Sequence, residues 1–316
     1  MRIAVLTAPG RFDVVEEPAP GIGDDEVLVR VAWCGVCASE LDIFLGKASH
    51  ARLPWYPGHE VSGVVERRGS QVRSLRKGDP VAVWVTTRGF AEYVAVKEAY
   101  CFPAGGIPLE QALGEPVACA VNAVELAAPS LGNDVVIIGA GFMGLLLQQL
   151  VALRGPRQVI VADTRADALE RAQGYGATRV VNVLEESLPR VVKKLTRGVG
   201  ADVAFEATGQ QPPLLMLGKV TRMSGTVVIA GYHQGRPRRI PLGQWNWMAY
   251  RIANAHFRDV ETIMAGMRAG MRLLDAGGLS LAGMVTHTFP LDDVEKAFRT
   301  AAEKPEGFVK AMVQAT

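Results

Sequence analysis

Hydrophobic and polar residues alternate along much of residues 1–120. In the stretch 27–33, Val, Val, Val and Trp occupy every second position and are separated by Leu, Arg and Ala. A period of two residues is typical of a β-strand with one buried face. Further short strands are predicted at 61–65 and 80–83, with Gly-Asp and Pro-Gly turns between them. The pattern therefore predicts a β-rich, barrel-like domain.

Beyond residue 120, continuous apolar runs replace this alternation. Buried strands are predicted at 135–138, 159–162, 179–181, 203–205 and 226–229. Helices are predicted at 121–128, 144–153 and 166–173. Apolar strands separated by helices are typical of a doubly wound parallel sheet covered on both faces.

The pattern changes once more near the carboxyl end. An amphipathic helix is followed by a strand predicted at 284–289 and a helix at 292–303. We expect this segment to fold back and complete the first domain. The sequence thus predicts an α/β protein, with a β-rich domain formed by 1–120 and 257–316 and a parallel-sheet domain formed by 121–256.

Composition narrows the class of protein. Of 316 residues, 49% are hydrophobic and 21% charged, which is typical of packed domains. The formal net charge is +2, and no basic run occurs, so neither nucleic acid nor an anionic membrane is an expected partner. The apolar stretches are too short to span a bilayer, and the amino terminus has the pattern of a strand rather than of a signal peptide. We therefore expect a cytoplasmic protein.

Four cysteines occur, and Cys34 and Cys37 form the one C-x-x-C motif. A zinc ribbon needs a second such pair and is excluded. A thioredoxin-like redox pair is disfavoured, because the motif does not open a helix after a lone strand in a small βαβ domain.

Gly139, Gly141 and Gly144 form a G-x-G-x-x-G motif, with Phe142 and Met143 between the last two glycines. The motif directly follows a predicted strand and opens a helix. In this context the glycines allow a tight turn, close approach of a pyrophosphate and helix–strand packing, while the helix offers N–H groups to the phosphates. These five residues are therefore a predicted dinucleotide site.

Asp163 ends the next predicted strand, about two dozen residues after Gly139, where a carboxylate binds the ribose hydroxyls. Its charge repels a 2′-phosphate and so favours NAD. Arg165 is also a candidate cofactor contact, and it leaves NADP as the alternative because a guanidinium can bind that phosphate. We expect NAD.

Cys37, His59 and Glu60 are candidate metal ligands. Thiolate and imidazole are good zinc ligands, and a catalytic zinc has three protein ligands and one open position. Spacing alone does not show that these residues bind a metal, because a buried cysteine and a core histidine give the same pattern.

These residues lie within longer motifs, and in their order along the chain the motifs resemble the zinc-containing medium-chain dehydrogenase/reductase family of alcohol and polyol dehydrogenases. The likeness spans nearly the whole chain. The motifs are Cys34-Gly35-Val36-Cys37-Ala38-Ser39-Glu40, Pro57-Gly58-His59-Glu60-Val61-Ser62-Gly63, Gly78-Asp79-Pro80-Val81, Gly89-Phe90-Ala91-Glu92-Tyr93-Val94, Glu115-Pro116 and Glu206-Ala207-Thr208-Gly209.

The resemblance implies a GroES-like catalytic domain joined to a Rossmann domain. It implies a zinc-dependent, NAD(P)-linked interconversion of an alcohol and its carbonyl by hydride transfer. The expected partner is a small-molecule substrate, and the expected assembly is a homodimer or homotetramer.

By the same resemblance, Cys37 and His59 are expected zinc ligands, and Glu115 is the third, directly or through water. Glu60 is expected beside the metal, where it exchanges with a ligand. Cys119 is the alternative third ligand, since zinc binds thiolates well. Pro116 suits the first turn of a helix, which places Glu115 at its start and Cys119 one turn later, so we expect Glu115.

The resemblance also assigns roles to the neighbours of these ligands. Glu40 corresponds to an acid that fixes the imidazole of the ligand histidine. Ser39 corresponds to the hydroxyl that takes the proton from the alcohol. Thr208 is a further candidate for cofactor binding.

The chain departs from the family pattern in two places. The lobe with four cysteines for a structural zinc is absent, so one zinc per chain is expected. Asp42 stands where the family's proton relay often ends in a histidine. His50 is a candidate to replace that histidine, and the sequence does not assign the outer residues of the proton relay.

The residues near the expected zinc are polar, which with the Glu115-Pro116 signature favours a polyol, cyclitol or sugar alcohol as substrate. A simple secondary alcohol or an amino alcohol is the next expectation. Two other functions stay open: a zinc-free quinone or enoyl reductase of the same fold, and a non-catalytic NAD-binding protein.

Overall fold

The computed structural model describes residues 1–48, 52–235 and 237–316, and the chain divides into two compact units. The first unit comprises Met1–Ala118 and Ile263–Thr316, and the second comprises Cys119–Thr262. Within the described ranges, none of the helices has the length and apolar character needed to cross a bilayer.

The strands follow one another along the chain as β1 (Arg2–Ala8), β2 (Arg11–Glu16), β3 (Glu26–Gly35), β4 (Glu60–Arg68), β5 (Pro80–Trp84), β6 (Tyr93–Lys97), β7 (Cys101–Pro103), β8 (Asp134–Ile138), β9 (Gln158–Asp163), β10 (Arg179–Asn182), β11 (Ala201–Glu206), β12 (Thr221–Ile229), β13 (Arg251–Asn254), β14 (Val285–Pro290) and β15 (Lys310–Gln314). The α-helices are α1 (Ala38–Phe44), α2 (Gly114–Ala127), α3 (Phe142–Ala152), α4 (Ala166–Gly174), α5 (Leu188–Leu195), α6 (Gln211–Val220), α7 (Leu242–Trp247), α8 (Val260–Asp275) and α9 (Val294–Glu303).

A seven-stranded sheet organises the first unit, in the order β14-β15-β3-β4-β5-β7, with β6 paired to β3. β3 pairs antiparallel with β4 over most of its length, with β6 at its start and with β15 at its end. Its alternating residues Val27, Val29 and Val31 are fully buried. The carboxyl-terminal strand β15 therefore pairs directly with β3, the first strand of this sheet along the chain, while β1 and β2 form a separate two-stranded sheet.

Aromatic side chains from distant parts of the sequence pack together in the core of this unit. Phe298 of α9 lies 4.9 Å from Phe12, 5.3 Å from Phe44 and 5.4 Å from Phe90, measured between ring centroids. Phe44 ends α1, so this cluster fixes the helix that begins beside the predicted metal ligands.

The second unit contains a six-stranded sheet in the order β10-β9-β8-β11-β12-β13, with all pairs parallel. Every residue of β8 is buried, as expected for a strand in the middle of a covered sheet. The strand order reverses between β8 and β11, and in such sheets ligands bind at the carboxyl ends of the strands on either side of this reversal. The predicted α/β class, with a doubly wound parallel sheet, is confirmed.

Helix α2 differs from the sequence prediction. It begins at Gly114 rather than at residue 121, and Glu115 lies in its first turn. Pro116 lies in the first turn, where the sequence placed it, because proline lacks an N–H group and the N–H groups of a first turn have no partner within the helix. The earlier start places both Glu115 and Cys119 on one helix.

Candidate active site

Cys37 and Ser39 occupy the junction between β3 and α1. Cys37 is the residue just before the helix, in extended conformation, and both side chains are half-buried. The Ser39 hydroxyl donates a hydrogen bond to Cys37 Sγ at 3.1 Å. The hydroxyl that the sequence assigned to proton transfer thus lies in contact with the predicted sulfur ligand.

Glu40 fixes the orientation of His59. Its Oε1 accepts a hydrogen bond from the backbone N–H of Gly58 at 2.7 Å and lies 3.1 Å from His59 Nδ1. Glu40 is buried, so this contact is little screened by water. When Nδ1–H donates to the carboxylate, Nε2 of His59 is left with a lone pair that can bind a metal.

Charge around His59 also favours its protonated form while no metal is bound. Burial lowers the pKa of the ring, but the Glu40 carboxylate and Cys37 outweigh it and raise that pKa well above its usual value. The same negative surroundings suit a bound cation, which replaces the proton.

Glu60 begins β4 and is buried against Lys310, the first residue of β15. The Lys310 ammonium lies 2.8 Å from Glu60 Oε1 and 2.6 Å from Oε2. Although burial opposes the charge, Glu60 and Cys37 raise the pKa of Lys310 above its usual value, which favours the charged ammonium. No local motif in the sequence marks Lys310.

Cys37, His59 and Glu60 come together in space. One sulfur, one nitrogen and one carboxylate oxygen from these residues all lie within 4.8 Å of one another. A thiolate, an imidazole and a carboxylate around one point are a donor set that fits zinc. The three residues therefore fit the metal that the sequence predicted for them.

The other residues predicted around the metal are not part of this three-donor cluster among the described residues. Glu115 is half-buried in the first turn of α2. Its charge contributes to the raised pKa of Lys310, so its carboxylate acts on the same group of residues. Cys119 lies one turn further along the same helix. Asp42 lies within α1, and His50 is outside the described residues.

The glycine motif of the second unit has the geometry of a phosphate-binding turn. Gly139 follows β8 with φ of +110°, which favours glycine, and a Cβ on Gly144 would lie 1.8 Å from the Gly139 carbonyl oxygen. A Cβ on Gly141 would meet no atom within 4 Å. The first and third glycines are thus required by packing, whereas the second faces open space. Phe142 and Met143 open α3 directly after it.

Asp163 ties this turn to the end of β9. Its Oδ2 accepts a hydrogen bond from the N–H of Ala140 at 2.7 Å, and its Oδ1 accepts one from the N–H of Arg165 at 3.0 Å. Nε of Arg165 lies 3.8 Å from Oδ1 of Asp163. Asp163, which favours NAD, and Arg165, which could bind the 2′-phosphate of NADP, are therefore neighbours.

Thr208 lies at the carboxyl end of β11, on the other side of the reversal in strand order. A Cβ on Gly139 would lie 2.8 Å from Thr208 Cγ2, so the two turns touch. The buried Glu206 carboxylate accepts hydrogen bonds from the N–H groups of Thr208 at 2.6 Å and Gly209 at 2.8 Å, and lies 2.7 Å from His233 Nε2. The sequence marked this motif but did not reveal that Glu206 organises the turn.

Comparison with known proteins identifies a known domain in each half of the chain. The family model for the alcohol dehydrogenase GroES-like domain matches residues 23–108, and the model for zinc-binding dehydrogenases matches 143–264. D-arabinitol dehydrogenase 1 of Uromyces fabae is 28% identical, over 94% of this chain and 92% of that protein. D-xylulose reductase of Saccharomyces cerevisiae is 27% identical, over 98% of this chain and 96% of that protein. The crystal structure of galactitol-1-phosphate dehydrogenase from Escherichia coli superposes with a TM-score of 0.88 at 24% identity, over 99% of this chain and all of that one.

The fold and the two family models define the class of protein, and the chain belongs to the zinc-containing medium-chain dehydrogenase/reductase family. It is an NAD(P)-linked oxidoreductase of the alcohol and polyol dehydrogenase type. The family, the GroES-like and Rossmann fold and the enzyme class predicted from the sequence are confirmed.

The glycine geometry makes a testable distinction. Gly141→Ala should leave the melting temperature unchanged and weaken NADH binding by roughly tenfold or more, because the added methyl fills the space that the pyrophosphate enters. Gly144→Ala should instead lower the melting temperature, because its methyl collides with the backbone. Calorimetry and NADH fluorescence titration measure the two effects, with Gly243→Ala, also in open space, as the control. Unchanged NADH affinity in Gly141→Ala would show that the phosphates bind elsewhere.

Proposed function

We propose that this enzyme interconverts a polyol and its keto form, using one zinc ion and NAD. The observation that carries the proposal is the cluster of Cys37, His59 and Glu60, with His59 fixed by the buried Glu40. A metal-ligating histidine typically has its other ring nitrogen fixed by a carboxylate, and here Glu40 supplies that carboxylate while Cys37 lies close by.

The residues that hold the metal are Cys37, His59 and Glu115, with Glu60 adjacent. Glu60 is already paired with Lys310, which supports Glu115 as the third ligand. Cys119 is the alternative on the same helix. Zinc, when bound, supplies a Lewis acid that polarises the alcohol oxygen and lowers its pKa.

Ser39 is the residue that takes the hydroxyl proton of the substrate. Its Oγ lies 3.1 Å from Cys37 Sγ, so it is beside the proposed metal ligands, and its side chain is half-buried. Glu40 does not move the proton but holds the His59 ring in place through Nδ1.

Asp163, Thr208 and the glycine turn at 139–144 bind the dinucleotide. The Asp163 carboxylate occupies the position that contacts ribose hydroxyls and opposes a 2′-phosphate, which supports NAD, with Arg165 beside it. A bound NAD supplies the hydride acceptor.

A substrate panel tests the proposed function. D-arabinitol, sorbitol and xylitol should give a larger kcat/KM than 2-propanol and L-threonine, because the polar side chains at the metal site bond the additional hydroxyls. NADH absorbance measures all five. A preference for 2-propanol or L-threonine would replace the polyol with a simple or an amino alcohol, and no turnover of any alcohol would overturn the function.

Metal content gives a second test. The wild type, purified without added metal, should contain close to one zinc per chain. Cys37→Ser and His59→Ala should lose that zinc and turnover while NADH binding persists, because the dinucleotide residues belong to the other unit. Cys101→Ala, which removes a buried thiol outside the cluster, is the matched control and should keep its zinc. Two tightly bound zinc ions, or none in active protein, would contradict the assignment.

Cofactor preference depends on the charge of Asp163. Asp163→Asn keeps an oxygen to accept the Ala140 N–H but removes the charge, and should shift preference toward NADP by about 10- to 100-fold, or about 1–3 kcal/mol. The ratio of kcat/KM for the two cofactors measures the shift. If the wild type already strongly prefers NADP, Arg165 is the phosphate ligand and the NAD assignment is wrong.

Ser39→Ala should lower turnover by roughly 100-fold, the usual effect of losing a positioned proton carrier. Ser39→Thr retains the hydroxyl and should keep much of the rate. Zinc content measured on both variants separates lost proton transfer from a damaged Cys37 site. Equal turnover in all three proteins would remove Ser39 from the mechanism.

A further inference from the structure

Glu17, Tyr56 and Arg88 form a cluster beside the segment that leads to His59, here called the Arg88 cluster. Glu17 follows β2, Tyr56 lies three residues before His59, and Arg88 lies between β5 and β6. The Tyr56 hydroxyl donates a hydrogen bond to Glu17 Oε1 at 2.7 Å. The Arg88 guanidinium forms an ion pair with the Glu17 carboxylate and lies over the Tyr56 ring, 4.1 Å from its centroid. None of these three side chains has a part in the proposed reaction.

The contacts within the Arg88 cluster reinforce one another. The hydrogen bond from Tyr56 and the guanidinium of Arg88 lower the pKa of Glu17 below its usual value, so its carboxylate is charged at neutral pH. The side chains of Arg88 and Glu17 are 41% and 28% exposed, which shields their interaction in part from water. A single exposed ion pair contributes little to stability, whereas here an ion pair, a hydrogen bond and a cation–π contact share the same three groups.

Arg88 has a backbone conformation that favours glycine. Its φ is +66°, which is unfavourable for a residue with a side chain. In this conformation its N–H donates to the Tyr56 carbonyl oxygen at 3.0 Å, and the N–H of Gly89 donates to the Gly58 carbonyl oxygen at 2.9 Å. An arginine at such a position is retained at a cost in free energy, which indicates a role for its side chain.

The Arg88 cluster fixes one end of a short segment, and Glu40 fixes the other. Tyr56 is bound through its ring, its hydroxyl and its carbonyl oxygen. Two residues later, Glu40 accepts the N–H of Gly58 and contacts the ring of His59. Pro57, between them, has a restricted φ, and both Pro57 and Gly58 are buried. Backbone rotation within this segment is therefore limited, and a displacement of Tyr56 is transmitted to His59.

We propose that Arg88, held by Glu17 and Tyr56, is a positioning residue that fixes the segment 56–59 and thereby the orientation of His59 as a metal ligand. Arg88 acts through Tyr56 rather than by contact with the metal. The inference rests on the proposed metal site. Zinc binds an imidazole nitrogen at a short and well-defined distance, so a histidine whose backbone is less firmly held retains the metal less well.

Two variants and one matched control test this inference. Arg88→Gly removes the guanidinium, while glycine accepts the φ of +66° and keeps the N–H that donates to Tyr56. Glu17→Gln keeps an oxygen for the Tyr56 hydroxyl but removes the charge that binds Arg88. Arg2→Ala is the control, because the Arg2 side chain is 42% exposed and forms an ion pair with Glu92 in the same unit.

Two readouts besides turnover report on the metal site itself. They are the rate of zinc loss to a chelator and the absorption spectrum of the cobalt-substituted proteins, which reports ligand geometry. The melting temperature of the zinc-free proteins measures the stability of the fold. NADH affinity measures the state of the second unit.

The expected pattern separates metal retention from stability. Arg88→Gly and Glu17→Gln should lose zinc roughly three- to tenfold faster and change the cobalt spectrum, a smaller effect than that of losing a group in direct contact with a ligand. The melting temperature of zinc-free Arg88→Gly should stay close to that of the wild type, because glycine relieves the backbone cost while the side-chain contacts are lost. Arg2→Ala should lose zinc at the wild-type rate, and NADH affinity should be unchanged in all variants.

Two results would overturn the inference. A wild-type rate of zinc loss and a wild-type cobalt spectrum in both Arg88→Gly and Glu17→Gln would mean that the Arg88 cluster does not position His59. Equally faster zinc loss in Arg2→Ala would mean that such ion pairs only support the fold. If Arg88→Gly does not fold, Glu17→Gln decides, since it leaves residue 88 unchanged. A wild type that binds neither zinc nor cobalt would instead refute the proposed metal site.

Discussion

The register of β3 with β4 and β15 is the constraint on which the metal site depends. Gly35, at the end of β3, lies opposite Glu60 of β4 and opposite Met312 of β15. This pairing brings Cys37, His59 and Lys310 together, although they come from the two ends of the chain. A slip of one residue in either pair would turn Glu60 or Lys310 to the opposite face of the sheet.

The packing behind the site maintains this register. α1 starts directly after Cys37, and its last residue, Phe44, is fixed by Phe298 of α9. Glu40, on the same helix, bonds both Gly58 and His59. The helix therefore positions the histidine as well as the cysteine, and the carboxyl-terminal segment supports both through the aromatic cluster.

In the second unit, strand order rather than antiparallel register positions the candidate site. Its ligand-binding turns result from strand order, because parallel strands on either side of a reversal leave the ends of β8 and β11 adjacent. Gly139 and Thr208 touch at this point, and two buried or half-buried carboxylates, Asp163 and Glu206, fix the turns by accepting backbone N–H groups. Oriented N–H groups and carboxylates there suit a ligand that carries phosphates and ribose hydroxyls.

The sequence by itself determined the features that depend on neighbouring residues. The Val/Ile runs predicted the parallel sheet, because a strand buried on both faces has no polar alternation. The glycine motif predicted a phosphate-binding turn, because strand, turn and helix are consecutive. The predicted start of α2 at residue 121, taken from the apolar pattern, was wrong, whereas Pro116 correctly indicated a first helical turn at Glu115.

Only the tertiary structure decided the features that depend on long-range contacts. Glu40 had a role only through resemblance, and its bond to His59 spans 19 residues of sequence. The Lys310–Glu60 contact spans 250 residues, and no periodicity or motif connects two such positions. Side-chain charges separated this far along the chain meet only once the strand register is fixed, so the sequence shows which residues can bind a metal, and the fold decides which of them face it together.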